Sequence, residues 1–419
     1  MDKAVILGAG ENSRFWPLNL KHKSLFYLMG KPLIWWTLKG LEKEKIKEVF
    51  IVQSPKRDVE EELRNFKFKL KLYFLIQQKP LGTGNALYLT KNCLKEPFFV
   101  LNGDVVCSQE VIREMKEFLK KSKRDESLIF GQETKTPFLF GMVKEKNGKV
   151  LEIVEKPKVW KEKKKIKVSG IYYLNPKIFY YYEKVKKGKT DFELALNLYA
   201  KKEGLKLVFS KKNEEKLPTF LKYPWHLFKI RDYLFENFLK EKIEENVKIS
   251  KDVILEGKIF IGKGTKIFEK TIIKGPCYIG ENCLIGNYTL IREKCNFEEN
   301  CIIGAFCETK NVIFQKNSTA HSGYLGDTIL GKEVKIGAGI VTSNLRLDRK
   351  KIFVEVKGKK INTNLEHFGT VIGDFTVLGS NINIMPGKLI GSFCTIYPNS
   401  VIIKNVKEKT IFKNENFGN

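Results

Sequence analysis

Closely spaced cysteine pairs are absent from this sequence. Eight cysteines are present, but none stands in the C-x2-C spacing that brings thiolates to a zinc ion. No apolar run is long enough to cross a membrane, so a membrane partner is not expected. The opening MDKAVILGAG reads as a buried strand rather than a signal peptide, and with unpaired thiols this predicts a cytoplasmic protein. Arginine is scarce: nine of the 76 basic residues, the rest being lysines scattered through every segment. A net charge of +28 without a basic stripe interleaved with aromatics does not predict a nucleic-acid partner. It suits anionic small molecules such as nucleotides and sugar phosphates. At 419 residues, two or more domains are expected.

Five of the eight cysteines lie in residues 277–307, and they share one period of six: Cys277, Cys283, Cys295, Cys301 and Cys307, with Thr289 in the remaining slot. The same period runs from 249 to 308. Its first position holds a large apolar residue (Ile249, Leu255, Ile261 and on to Ile303), and its fifth a small or β-branched one. This resembles the hexapeptide repeat of the left-handed parallel β-helix, in which three hexads make one triangular coil. The cysteines are then interior fillers, small hydrophobes stacked Cys277 under Cys295 and Cys283 under Cys301. The register breaks after Cys307 and resumes at Leu330. A non-repeating insert is expected over roughly 344–370, and hexads return from Ile372 to Ile396. Such prisms serve both as enzymes and as scaffolds.

In the N-terminal half, KAVILGA (3–9) is an apolar strand running into a glycine-rich turn with Arg14 just beyond it, an arrangement suited to clamping phosphate. EVFIVQ (48–53), LKLYFLIQ (70–77) and FFVLNGDVV (98–106) continue an alternation of strands and helices that predicts an α/β doubly wound domain. Asp104, at a strand end beside a glycine, reads equally as a metal ligand or a helix cap.

GAGENSRFWPLNLKHKSLFYLMGKPLI, QQKPLGTGNAL, LNGDVV, FGMV, IVEKP and SGIY occur in the order seen in sugar-1-phosphate nucleotidyltransferases, and residues 1–230 resemble that family. The resemblance implies that Gly8, Gly10 and Arg14 hold the triphosphate, with Lys23 at the catalytic lysine. Gln77, Gly82 and Thr83 would read the base, and Asp104 would bind Mg2+. Gly141, Glu155 and Lys156 would hold the sugar phosphate. Asn12, His22 and Val168 depart from the usual pattern. Phe220 stands where a second Mg2+ ligand is usual, and His226 nearby is expected to be structural.

Residues 231–247 read as an amphipathic connecting helix, with a third segment from 248 to 419. There, AFCETKN and STAHSGYLGDTILGKEVKIGAGIVTSN resemble the acetyltransferase half of bifunctional uridylyltransferase/glucosamine-1-phosphate acetyltransferases. NLRLDRKKIFVEVKGKKI, GTVIGD and NIMPG are closer to the archaeal type. By that resemblance His321 is the base that deprotonates the amine, Arg292 and Lys310 bind the sugar's phosphate, and Tyr324 places the sugar. Asn344 orients the amine or the acetyl-CoA thioester, and Lys350 lies near the CoA. Lys335 and Leu345 replace an Asn and a Tyr of the bacterial form. The implied protein is a homotrimer using acetyl-CoA, UTP or dTTP, and Mg2+. The alternatives are a single-activity nucleotidyltransferase on a structural prism, and a scaffold that binds nucleotide sugar without turnover.

Overall fold

The computed structural model describes residues 2–121 and 126–413; 122–125 and the last six residues of the expected C-terminal domain lie outside the described residues. The chain forms two compact units. The first takes in the residues up to Glu11, His22–Phe26 and Pro32–Leu221; the second takes in Asn12–Lys21, Tyr27–Lys31 and the described residues from Lys222 on. No helix among the described residues is long and apolar enough to cross a membrane.

The first unit is built on a nine-stranded sheet. Lys3–Gly8, KAVILG, is apolar on both faces because it lies in the middle, paired in parallel with Glu48–Gln53 on one side and Phe98–Asn102 on the other. Lys71–Ile76 extends the parallel set beyond Glu48–Gln53. The other half is mixed rather than parallel. Ile166–Leu174 runs antiparallel to Phe98–Asn102 and to Leu128–Glu133, and the hairpin Gly141–Lys146/Lys149–Glu155 joins at the edge. In-register pairing brings Gly8, Gln53 and Ile76 to one edge, with Asn102 beside Leu7. The residues just past these strands, Gly10, Gln77 and Asp104, therefore gather at the carboxyl edge, where ligands of such sheets bind.

The second unit is the left-handed parallel β-helix that the hexads predicted, three sheets of short parallel strands among the described residues. Cys277 pairs with Cys295, and Leu284 with Ile302, which stacks the thiols as the period required. All five are free and buried. They do more than fill space. Thr265, Thr271 and Thr289 each donate an Oγ1–H to a backbone carbonyl one coil on, at 2.8–2.9 Å. Cys283 and Cys301 donate to the Glu298 and Gln315 carbonyls in the same way, at 3.2 and 3.3 Å. Threonine and cysteine thus alternate at the fifth position because both pair a small volume with a donor for a buried carbonyl.

One expectation needs correction. The connecting helix spans Leu227–Phe238, and prism strands begin at Lys242–Ile243, because the apolar face of that helix starts earlier, at Leu227 and Ile230. The hexad register breaks after Cys307, as expected. Coils merely shorten, from 18 residues (Cys277 to Cys295) to 16 (Cys307 to Gly323), so strands stay paired while the sequence period slips. The non-repeating insert carries an antiparallel hairpin, Phe353–Val356 with Lys359–Asn362, closed by a bridge between Leu345 and His367.

Residues 27–31 dock onto the prism through polar residues that the repeat buries. Tyr27 exchanges two hydrogen bonds with the Gln315 side chain, at 2.9 and 3.1 Å. The Met29 N–H donates to Asn296 Oδ1 and the Gly30 N–H to Glu298 Oε2, while Asn296 Nδ2 donates to Glu298 Oε1. Burial raises the Glu298 carboxyl to about 7 in spite of these donors, from an ordinary 4.5. Between those two values the folded chain binds more protons here than the unfolded chain. This contribution to stability is therefore present below about pH 4.5 and is lost as pH rises to about 7. Denaturant unfolding of Glu298→Gln across that window is expected to lose this downward slope; an unchanged slope would assign it to other groups.

Candidate functional site

In the first unit, the Lys23 ammonium donates to Asp104 Oδ2 at 2.9 Å and to the Leu221 carbonyl. Asp104 is 1% exposed, and its Oδ1 is buried without a hydrogen-bond partner among the described residues. A buried carboxylate oxygen that meets neither a donor nor a cation is expensive. Its chemistry fits a divalent ion such as Mg2+, which needs only one or two carboxylates because it keeps water and phosphate oxygens. No cluster of three or more His, Cys, Asp or Glu side chains suited to a metal is present among the described residues.

Gln77 is nearly buried, and its Nε2 donates to the Gly82 carbonyl at 3.1 Å and to Asn85 Oδ1 at 2.8 Å. A carbonyl can only accept, so the amide orientation is fixed and Oε1 is left to accept from a ligand. Gly82 has φ of 105°, open to glycine alone, and Thr83 begins the helix Thr83–Tyr88 that follows. Gly141 pairs with Glu155 across the edge hairpin, and a Cβ at Gly141 would stand 2.9 Å from Glu155 Oε2. Glu155 and Lys156 form an ion pair. Gly8 and Gly10 lie at the end of the central strand; Arg14 lies in the second unit, on the short helical turn Ser13–Phe15.

The departures now have physical accounts. Asn12 has φ 52° and ψ 23°, the left-handed region in which asparagine is the usual substitute for glycine. His22 uses the backbone N–H that proline lacks, donating it to Asp58 Oδ2 at 2.8 Å. Burial and the Lys23 charge push its imidazole down to about 3, so it stays neutral. Val168 packs against the apolar core. Phe220 offers no oxygen; its ring meets the Phe140 ring edge-on and lies 3.9 Å from the buried Lys167 ammonium, which pairs with Glu214. The His226 Nδ1 accepts the Lys222 and Tyr223 backbone N–H groups, a helix-entry role.

In the second unit, His321 sits at the corner between the strands Thr319–Ala320 and Gly323–Gly326. Gly304 makes room for it: a Cβ there would stand 2.0 Å from the His321 carbonyl oxygen. His321 and Lys335 line a cleft of about 590 Å³, with Thr319, Gly337 and Val377 among its other walls. Arg292, Lys310, Tyr324 and Asn344 stand on the next face. They lie in or just past the stacked strands Leu290–Ile291, Cys307–Lys310, Gly323–Gly326 and Ile340–Thr342. Arg292 donates to Glu308 at 3.2 Å, and Asn344 Nδ2 donates to the Tyr324 hydroxyl at 3.2 Å. Burial, then the nearby Asp327 carboxylate, raise the Tyr324 phenol and keep it protonated. Lys350 is apart from this group, exposed on the insert beside the Arg346–Asp348 pair. Sequence reading passed over Asp327, the buried carboxylate that accepts from both Asn311 and Asn344. Its position one coil below Asn344 was concealed by the shortened coils.

Residues 3–223 match the profile of the Nucleotidyl transferase family, and residues 258–293 match that of Bacterial transferase hexapeptide (six repeats). A Sulfurisphaera tokodaii protein described as a bifunctional sugar-1-phosphate nucleotidylyltransferase/acetyltransferase is 30% identical over 423 aligned residues. The alignment takes in 98% of this chain and 100% of that protein. Proteins described as bifunctional protein GlmU are 31% identical in Methanococcus vannielii, over 98% of each chain, and 31% identical in Methanocaldococcus jannaschii, over 97% of this chain and 96% of that one.

Proposed function

Because this chain belongs to the family of bifunctional sugar-1-phosphate nucleotidylyltransferase/acetyltransferases, we propose that it builds an N-acetylated nucleotide sugar in two steps, acetylation on the prism and then nucleotidyl transfer. The product of this reading is UDP-N-acetylglucosamine or its dTDP counterpart, made in the cytoplasm. The observation that carries it is the pairing of two intact reactive groups: Lys23 with the orphaned Asp104 carboxylate in the first unit, and His321 in its cleft in the second.

In the acetyl step the amine nitrogen of an amino-sugar 1-phosphate attacks the thioester carbonyl carbon of acetyl-CoA. The N–C bond forms, the C–S bond breaks, and CoA leaves as its thiol after taking up a proton. His321 removes the amine's proton, without which the nitrogen has no lone pair to give. Arg292 and Lys310 hold the sugar's phosphate, Lys335 adds a cation to the His321 cleft, and Lys350 approaches CoA. Cleft and acceptor row lie on adjoining faces of one prism, so a second prism set against the cleft would enclose it. A homotrimer is the assembly we propose, testable by sedimentation.

In the nucleotidyl step a phosphate oxygen of the sugar attacks the α-phosphorus of the nucleoside triphosphate, and pyrophosphate leaves. The attacking oxygen is already anionic, so the domain's task is positioning and charge neutralisation. Gly8, Gly10 and Arg14 hold the triphosphate, Lys23 neutralises developing charge, and Gly141, Glu155 and Lys156 hold the sugar phosphate. Asp104 would hold Mg2+, which when bound neutralises phosphate charge. Gln77 Oε1, left as an acceptor beside Gly82 and Thr83, matches the N3–H shared by uracil and thymine and refuses cytosine.

The test is purified protein with acetyl-CoA and glucosamine 1-phosphate or galactosamine 1-phosphate, followed by free thiol and product mass, then Mg2+ with UTP or dTTP. Acetylated sugar that goes on to a nucleotide sugar is the expected result. Nucleotidyl transfer without acetylation of either sugar would reduce the protein to a nucleotidyltransferase on a structural prism.

A further inference from the structure

We propose that Asp327 sets the hydrogen-bond polarity of the acetylation site, holding Asn344 so that its carbonyl oxygen accepts an N–H of the acceptor's amino group. The inference rests on the acetyltransferase reading above and narrows it: the bound group must offer N–H at one point and an oxygen acceptor beside it.

The orientation follows from a chain of groups in which each member leaves the next no choice. It begins at Arg231, whose guanidinium is fully buried and can only donate. Arg231 Nη2 donates to Asn311 Oδ1, so the Asn311 amide nitrogen faces the other way and donates to Asp327 Oδ1. Asp327 is 3% exposed, and as a carboxylate it can only accept. Its Oδ2 therefore takes an N–H of Asn344, whose second N–H goes to the Tyr324 hydroxyl. Asn344 Oδ1 receives no hydrogen bond from the described residues and is the end of the chain. Tyr324, having accepted from Asn344, turns its own O–H outward as a donor. An amide that is ambiguous in isolation is thus fixed from 231 to 344 by a donor-only group at one end and an acceptor-only group near the other.

Coil geometry supplies the alignment. Lys310 pairs with Gly326 and Leu325 with Thr342, so Asn311, Asp327 and Asn344 occupy equivalent places just past three stacked strands. Asn311 and Asp327 have φ of 55° and 48°, a corner conformation that asparagine and aspartate tolerate. Gly326 is required beside them, since a Cβ there would stand 2.6 Å from both Asn344 Nδ2 and the Tyr324 hydroxyl. The face presented to a ligand is an acceptor, Asn344 Oδ1, next to a donor, Tyr324 O–H. An amino sugar offers the complement, an N–H donor beside a hydroxyl or phosphate oxygen. A sugar with hydroxyl in place of the amine could still donate one hydrogen, but it cannot give one to Asn344 and also present a nitrogen nucleophile to His321. Asp327 touches no substrate in this scheme; it is a positioning residue.

The experiment uses the full-length protein and first confirms that the wild type acetylates glucosamine 1-phosphate; if it does not, the acetyltransferase reading and this inference fall together. In Asp327→Asn the carboxamide can offer a donor to residue 344 and release the flip. The expected result is a loss of about tenfold or more in kcat/KM for the amino sugar, the size of one misplaced substrate hydrogen bond, with KM for acetyl-CoA and the nucleotidyl activity unchanged. Glucose 1-phosphate, as a competitive inhibitor of acetyl transfer, should be discriminated against less by the variant than by the wild type. The decisive arm is the exchange Asp327→Asn with Asn344→Asp, which reverses donor and acceptor between the two positions and returns an oxygen toward the amine. Partial recovery over the single variant supports the assignment. Asp327→Asn with wild-type kinetics overturns it, and so does a defect that the exchange fails to relieve while nucleotidyl transfer stays intact, since that pattern marks a role in packing alone.

Discussion

Replacing His321 with alanine is expected to lower acetyl transfer by about a hundred- to ten-thousand-fold, the range associated with a positioned general base. Nucleotidyl transfer by the same preparation should not change. The separation is a consequence of where the residue stands: at a corner of the prism, exposed to a cleft and outside the hydrophobic core, so that truncation removes chemistry and little packing. Circular dichroism and the thermal midpoint should therefore match the wild type. KM for acetyl-CoA should also hold, because the loss falls on the transition state in which the amine gives up its proton. Acetylation persisting within about threefold of wild type would mean that solvent, or a base other than His321, takes the proton.

The two halves of the protein were unequally legible in its sequence. The prism was readable because its period is enforced by sterics at every coil. Isoleucine at the first position and threonine or cysteine at the fifth recur since each coil meets the same interior, and even the thiol stacking followed from counting. What counting missed is what breaks the count: coils of 16 residues between Cys307 and Gly323, where strand pairing survives while the hexad slips. Asp327 is in that slipped stretch, which is why its place beneath Asn344 was invisible to a period of six. In the first unit, motif order picked out the residues at the carboxyl edge, because turns after parallel strands converge there. It gave no hint that Asp104 would keep one oxygen unpaired, or that the Gln77 amide would be fixed by the Gly82 carbonyl. Those are facts about which partner each polar atom finds, and partners come from distant segments. The departures at Asn12 and His22 looked like weaknesses and are local solutions, a left-handed asparagine and a histidine that uses the N–H proline would lack.

Asp104→Asn should abolish most nucleotidyl transfer and leave acetylation alone. The carboxylate is almost wholly buried, holds Lys23 with Oδ2, and keeps Oδ1 without a partner among the described residues. An amide in its place retains the shape and removes the charge. With several kcal/mol of charge stabilisation expected from a metal bound to phosphate, the rate should fall by about a thousandfold. A second readout does not depend on turnover. Mg2+ with UTP should raise the thermal midpoint of the wild type, because a ligand that binds only the folded state stabilises it by mass action, and the shift should vanish in the variant. An Asp104→Asn protein that keeps both the rate and the Mg2+-dependent shift would place the ion elsewhere. Phe220→Asp is the complementary case, since it restores a carboxylate where a second ligand is usual. Here that carboxylate would meet the buried Lys167 ammonium, which stands 3.9 Å from the Phe220 ring, before it met a cation. No gain in Mg2+ affinity is expected from it, and a gain would show that Phe220, rather than the fold, is what limits this site to one carboxylate.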